Sequence, residues 1–173
     1  MSKAAKYSAI ELLRNGRAIE IRALRPDDRA GLLAAVGRSS PQSLYRRFFS
    51  PKRSLTEDEV TYFMTVDFVN HVALVAVVEE GGRPAIVGGA RYIVVRPASA
   101  EMAFAVVDQY QAQGIGALLL RHLAAIARDA GIEELTAEVL ADNASMLRVF
   151  EKSGYRHGAK REAEVMHVTL GLL

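Results

Sequence analysis

The residues with the clearest chemical signature are Gln111, Gly114 and Gly116. They punctuate a corner between an apolar, β-prone run, Phe104 to Val107, and an amphipathic stretch that continues to Gly131. The first amides of a helix have no partners of their own, and the helix dipole adds positive potential there. A strand that delivers such amides into a glycine-rich helix start is a device for holding anions, and the glycines let a ligand approach the backbone closely. Two familiar versions of the device are excluded. Gly114-Ile-Gly116-Ala-Leu-Leu119 lacks the third glycine of a dinucleotide-binding turn, and Glu133 and Glu134 fall in a turn rather than at a ribose. No Gly-Lys-Ser/Thr follows, so this is not the phosphate loop of nucleotide hydrolases.

The elements that must position this corner are legible in order. Residues 1–8 read as a loose tail, and Asn15-Gly16 as a two-residue hairpin turn between Ile10–Arg14 and Ala18–Leu24. Pro26-Asp27-Asp28 opens a helix that ends near Gly37; Ser40-Pro41 opens a second, and Thr56 to Glu59 is a capping box for a third. The stretch from Arg38 to Val69 is the expected wall of an acceptor pocket. Strands are expected at Val72–Glu79, Ile86–Val95 and Glu101–Val107 as an antiparallel meander. The central helix buries Leu119, Leu123, Ile126 and Ala130, has Gly131 as its C-cap, and crosses over to a parallel strand at Leu135–Leu140. Asp142-Asn143 caps a helix through Phe150, and a final strand spans Glu164–Leu170.

Composition narrows the function further. The 173 residues are enough for one domain, read as residues 1–173. A net charge of +2 is too small to argue for a nucleic-acid partner. There is no cysteine, which removes disulfides, cysteine metal sites and a cysteine nucleophile. No metal site is expected. No apolar run is long enough to span a bilayer, and the start lacks a signal-peptide core, so a cytoplasmic protein is the expectation.

Gln111-x-x-Gly114-x-Gly116 resembles the acyl-coenzyme-A-binding motif of the GNAT superfamily of N-acetyltransferases, Gln/Arg-x-x-Gly-x-Gly/Ala. Asn143 through Phe150-Glu-Lys-Ser-Gly154-Tyr155 is similar to the superfamily's C-terminal signature. The half before Val72, with Leu-Arg-Pro-Asp-Asp and Ser-Pro-Gln-Ser-Leu-Tyr-Arg-Arg-Phe-Phe, resembles bacterial protein-lysine acetyltransferase domains, which are often fused to regulatory or acyl-CoA-synthetase-like domains. The resemblance implies a mixed α/β GNAT fold: a mostly antiparallel twisted sheet of six to seven strands with a splayed parallel pair, flanked by four to five helices.

The resemblance also implies a ligand and roles. Acetyl-CoA would insert its pantetheine arm into the splay, pairing with backbone groups of Val106 and Val107. Its pyrophosphate would sit on the amides of Gln111, Ala112, Gln113, Gly114, Ile115, Gly116 and Ala117. Asn143 would touch the arm, its plain alternative being a helix cap. An amine acceptor, a protein lysine or a small amine, must lose a proton before attack, since its pKa is about 10.4. Glu101 is the base candidate, ahead of Glu79, Glu80 and His71; the bland alternative is a carboxylate at a strand end. Phe150 stands where many relatives place a tyrosine acid and cannot donate a proton, so water would serve a thiol leaving group whose pKa is near 8.5. With no cysteine, direct transfer in a ternary complex is expected, the oxyanion held by an amide near Val106. Arg46, Arg47, Lys52 and Arg53 read as a solvated helix face, and Tyr45, Phe48 and Phe49 as core. The competing class is a non-catalytic acyl-CoA-binding sensor.

Overall fold

The computed structural model describes residues 3–50 and 52–173. Eight strands form one sheet in the order β1-β2-β3-β4-β5-β6-β8-β7. They are β1 (Ser8–Leu12), β2 (Ala18–Ala23), β3 (His71–Glu80), β4 (Arg83–Arg96), β5 (Ser99–Val106), β6 (Glu134–Leu140), β7 (Arg156–Glu162) and β8 (Val165–Gly171). Helices α1 (Arg29–Gly37), α2 (Pro41–Phe48) and α3 (Glu57–Met64) lie between β2 and β3. Helix α4 (Ile115–Asp129) links β5 to β6, and α5 (Ala144–Glu151) links β6 to β7. Every neighbouring pair is antiparallel except β5 and β6. That is the GNAT arrangement, with eight strands rather than six or seven.

Helices cover both faces, which is why β3 is buried from His71 through Val78 instead of alternating. On one face Val72, Leu74, Val87, Ala90, Tyr92 and Met102 meet Leu119, Leu123 and Phe150. On the other, Ala73, Val75, Val77 and Ile86 meet Leu24 and Met64. Helix α4 buries Ile115, Leu119, Leu120, Leu123, Ala124, Ile126 and Ala127. The apolar stripe stops there: Ala130 is exposed and serves as the C-cap. Gly131, at φ +86, ends the helix with Ile132 N–H on Ala127 C=O at 2.9 Å and Gly131 N–H on Arg128 C=O at 3.0 Å.

Three expectations need correcting. Of the supposed tail, Met1 and Ser2 lie outside the described residues, but Ala4–Lys6 form a 3-10 turn and Ser8 starts β1. Tyr7 is held by His122 of α4, whose other ring nitrogen lies 3.0 Å from Glu11. The first hairpin turn is longer than two residues: Leu13 N–H donates to Arg17 C=O at 2.8 Å, leaving Arg14 at the tip. The last strand is one arm of a hairpin, since Arg156–Glu162 forms β7. Its sequence, RHGAKRE, has no apolar alternation because it is an exposed, charged edge that discourages pairing with other chains.

The entry to α1 depends on an ion pair. Arg22 of β2 grips both oxygens of Asp28 at 2.8 and 2.9 Å, with each residue only 7% exposed. Burial alone would raise the Asp28 carboxyl, but the Arg22 bonds and the Arg25 N–H outweigh it and hold it below its usual range. Asp28→Asn leaves the buried Arg22 with only the longer, 3.8 Å approach of Glu20, so a loss of about 3–5 kcal/mol in urea unfolding is expected. A folded value below the unfolded one, about 3.9, means the pair stabilises fully above that pH. The stabilisation is lost as pH falls through the lower folded value.

Candidate active site

Strands β5 and β6 are paired only at their starts, from Ser99 opposite Glu134 to Glu101 opposite Thr136. Beyond that they separate, and the gap is lined by Met102, Phe104, Ala137, Val139, Met146 and Phe150, with Arg46 and Asn143 at its edge. Phe150 is 0% exposed and meets Phe104 edge-on at 5.8 Å, so the pair props α5 against β5 beside the gap. No tyrosine lines this gap among the described residues.

The corner at the end of β5 carries the anion-holding geometry. Ala112 (φ +63) and Gly114 (φ +88) both take left-handed backbone, and α4 begins at Ile115. Among the described residues, the N–H groups of Ala112, Gln113, Gly114, Ile115, Gly116 and Ala117 donate to no protein acceptor, the first backbone bond of the helix being Leu118 N–H to Gly114 C=O. The Gln113 Oε1 is buried and also unpartnered. Six free donors at a helix start, with an alanine held in a strained conformation among them, have the chemistry that can hold an oxyanion. Arg14, at the hairpin tip, adds positive charge: its Nε stands 3.9 Å from where a Cβ on Gly114 would be. Nothing in the sequence pairs residues a hundred positions apart, so Arg14 escaped the motif reading.

Helix α2 braces the corner. The Ser40 N–H donates to Asp108 at 2.8 Å, and the Gln111 side chain donates to Ser43 Oγ at 3.1 Å and to Val106 C=O at 3.0 Å. Val106 therefore points a carbonyl at the open side of β5. Val107 does not, which corrects the expected pairing: its N–H is bound to Val87 C=O and its C=O to Tyr110 N–H, both at 2.8 Å. Asn143 is a helix cap, its Oδ1 accepting from Met146 N–H at 3.4 Å and from the Ser145 hydroxyl at 3.3 Å. The amide NH2 of Asn143 has no hydrogen-bond partner among the described residues, and Asn143 is one of the residues that line the gap.

A second pocket, about 320 Å³, opens beside Met102 and Ala103, which line both spaces together with Arg47. From the stretch expected to wall an acceptor pocket it takes Arg47, Tyr62 and Phe63. Glu101 stands on the same sheet face as Ile93, Arg91 and Ala103, and its exposed side chain lines this pocket. The other base candidates are engaged elsewhere. Glu80 is clamped by Arg38 at 2.9 and 3.0 Å and by the Tyr110 hydroxyl, which hold its carboxyl below the usual range. Burial, with the neighbouring Arg91 charge behind it, pulls His71 down to about 4 and leaves it neutral and weakly basic. Neither Glu79 nor Glu80 lines the pocket.

The basic cluster is not a simple solvated face. Arg47 lies over Phe48 and Phe63, Lys52 pairs with Glu59 at 2.6 Å, and the buried Nε of Arg46 makes no hydrogen bond but lies 3.8 Å from the Asp142 carboxylate. Of the aromatics read as core, Tyr45 is 39% exposed, Phe48 packs on Phe63, and Phe49 is the left-handed cap of α2.

A family model for GNAT acetyltransferases matches residues 40–155. The chain belongs to the GNAT acetyltransferase family. It is 33% identical over 147 residues to Acetyltransferase Pat of Mycolicibacterium smegmatis, which covers 82% of this chain and 42% of that protein. It is 32% identical over 138 residues to Acetyltransferase PA5475 of Pseudomonas aeruginosa, covering 79% of this chain and 74% of that one. The chain thus spans less than half the length of the Mycolicibacterium relative. The GNAT domain of S. lividans PAT superposes with a TM-score of 0.85 at 33% identity, over 95% of this chain and 96% of that domain. No helix among the described residues is long and apolar enough to cross a membrane.

The two glycines of this GNAT corner differ in role. An added Cβ at Gly116 meets only Val149 Cγ2 at 3.9 Å, an ordinary contact, whereas Gly114 sits at φ +88. Gly114→Ala is expected to cost about 1–2 kcal/mol in chemical denaturation. Gly116→Ala is expected to stay within about 0.5 kcal/mol of the parent.

Proposed function

We propose that this protein is an acetyl-CoA-dependent N-acetyltransferase that moves the acetyl group to a primary amine by direct attack in a ternary complex. The observation that carries the reading is the run of six unpartnered amides from Ala112 to Ala117, which follows the end of β5, one of the two strands that border the gap. A diphosphate fits those donors, with Arg14 above them. A thin, amide-bearing arm fits the gap: Val106 C=O and the Asn143 NH2 supply one acceptor and one donor, and Phe150 and Met146 form an apolar wall. yncA from Salmonella typhimurium, solved with its cofactor acetyl-CoA, shares the fold at a TM-score of 0.72 and 18% identity.

The chemistry follows from where the two spaces meet. A thioester at Met102 and Ala103 would face the pocket that Glu101 lines. The acceptor arrives as an ammonium. Glu101, directly or through one water, takes a proton; the amine nitrogen attacks the thioester carbonyl; the C–S bond breaks. The thiolate leaves as the nitrogen sheds its second proton to form the amide, and water carries that proton to the sulfur, since Phe150 offers none. A protein lysine is the acceptor implied by the likeness to PAT domains. A small amine is a second reading, favoured by the pocket's limited volume and its partly enclosed walls. The cytoplasm, where acetyl-CoA is made and used, is the proposed setting.

Turnover is read as free thiol released from acetyl-CoA in the presence of primary amines, with coenzyme A binding followed by calorimetry. Glu101→Gln is expected to bind coenzyme A with unchanged affinity and to lose about 10²–10⁴ in kcat at neutral pH. That loss should shrink as pH approaches the amine's own pKa. Tight binding without turnover of any amine by the parent protein would favour the sensor reading instead.

A further inference from the structure

Two guanidiniums in the Glu101 pocket lack the counter-charge that other inward-drawn arginines have. Arg22 and Arg38 each grip a carboxylate with two nitrogens. Arg91 instead donates to the Phe63 carbonyl at 3.1 Å, meets His71 Nε2 at 2.9 Å and lies over the Phe63 ring at 4.7 Å. Arg47 lies over Phe48 at 4.8 Å and over Phe63 at 5.5 Å. Among the described residues neither forms an ion pair, and both line the pocket. Burial pulls Arg91 down to about 10, helped by the Arg47 charge, and lowers Arg47 too, yet both stay cationic at neutral pH. His71, neutral, can accept from Arg91 but brings no negative charge.

The pocket therefore presents two cations and a single carboxylate, Glu101, against walls that are otherwise mostly apolar: Tyr62, Phe63, Ile93, Val95 and Met102. A plain alkylammonium entering this space meets like charge. A molecule with an amine for Glu101 and a carboxylate for the guanidiniums matches both ends, and planar guanidinium forks suit a carboxylate's two oxygens. We propose that Arg47 and Arg91 receive a carboxylate carried by the acceptor, so that the preferred substrate is an amine bearing a carboxylate, with an apolar remainder. This rests on the acetyltransferase reading, in which the Glu101 side is the acceptor side. It favours an amino acid over an isolated lysine side chain.

The test uses matched acceptors that differ only by a carboxylate: L-methionine against 3-methylthiopropylamine, L-phenylalanine against phenethylamine, and 4-aminobutyrate against propylamine. Thiol release from acetyl-CoA is measured, and coenzyme A binding is followed by calorimetry in every variant. At least one carboxylate-bearing member is expected to exceed its partner by about tenfold or more in kcat/KM, the scale of one charge-assisted hydrogen-bond pair. The preference should collapse in Arg47→Met and in Arg91→Met, and be partly restored in Arg47→Lys. In Arg91→Met it should collapse with coenzyme A binding unchanged, since Arg91 does not line the gap. Acetyl-Asp-Lys-amide preferred over acetyl-Ala-Lys-amide, with the same dependence on Arg47 and Arg91, would place the carboxylate on a lysine's neighbour. Equal rates within every pair, or a preference that survives both methionine variants, overturns the proposal. So does the absence of any binding of the carboxylate probes to the coenzyme-A-loaded protein. Failure of coenzyme A to bind the parent protein removes the cofactor reading itself, and this proposal with it.

Discussion

Backbone polar groups left without partners are what the site is made of. A sheet normally satisfies every inner N–H and C=O through its neighbours, and a buried group left unpaired costs as much as a lost hydrogen bond. Strand β5 breaks that rule after Glu101, because β6 pairs with it only over the first residues and then leads off toward α5. The chain does not repair the defect. Gln111 folds back onto Val106 C=O, a reversible partner that can give way, and the amides that follow at the start of α4 face no acceptor. An open strand edge and an open helix end therefore lie end to end, an unfinished hydrogen-bonding surface suited to an extended ligand with an anion at one end.

The rest of the fold keeps that surface from closing. The Phe104–Phe150 contact holds α5 at a fixed separation from β5. Helix α2 ties the corner from the other face through Ser40 to Asp108 and Ser43 to Gln111. Burial alone would raise the Asp108 carboxyl, but the hydrogen bonds from Ser40 and Ser43 hold it below its usual range, so it remains an acceptor for the tether. The same helix lends Arg46 and Arg47 to the gap, and Arg47 to the neighbouring pocket as well. One short helix thus couples the ligand corner to the space beside Glu101.

Much of this was legible in the sequence because it is local. Ser40 and Thr56 cap their helices through bonds to residues three positions on, and the capping pattern announces itself. Gln111, Gly114 and Gly116 lie within six residues, so strand, corner and helix start could be read together. What escaped depends on distant pairs or on missing signals. Arg14 reaches Gly114 only because the first hairpin folds over α4. Arg91 sits within an apolar strand with no local signal of a role, and its meeting with Arg47 needs α2 and β4 to share a face of the sheet. Val107 was misassigned because its β-prone character does not reveal which side of the strand its N–H faces; the register to Val87 decides that. Strand β7 carries no apolar signal because it buries little.

The most direct test of the unfinished-surface account is amide hydrogen exchange at residue resolution, with and without saturating coenzyme A. The account predicts fast exchange at Ala112 to Ala117 in the free protein and strong protection of those amides when coenzyme A is bound, with smaller changes along β7 and the far hairpin. Amides already protected in the free protein, or coenzyme A binding that slows exchange elsewhere and leaves Ala112 to Ala117 unchanged, would contradict it.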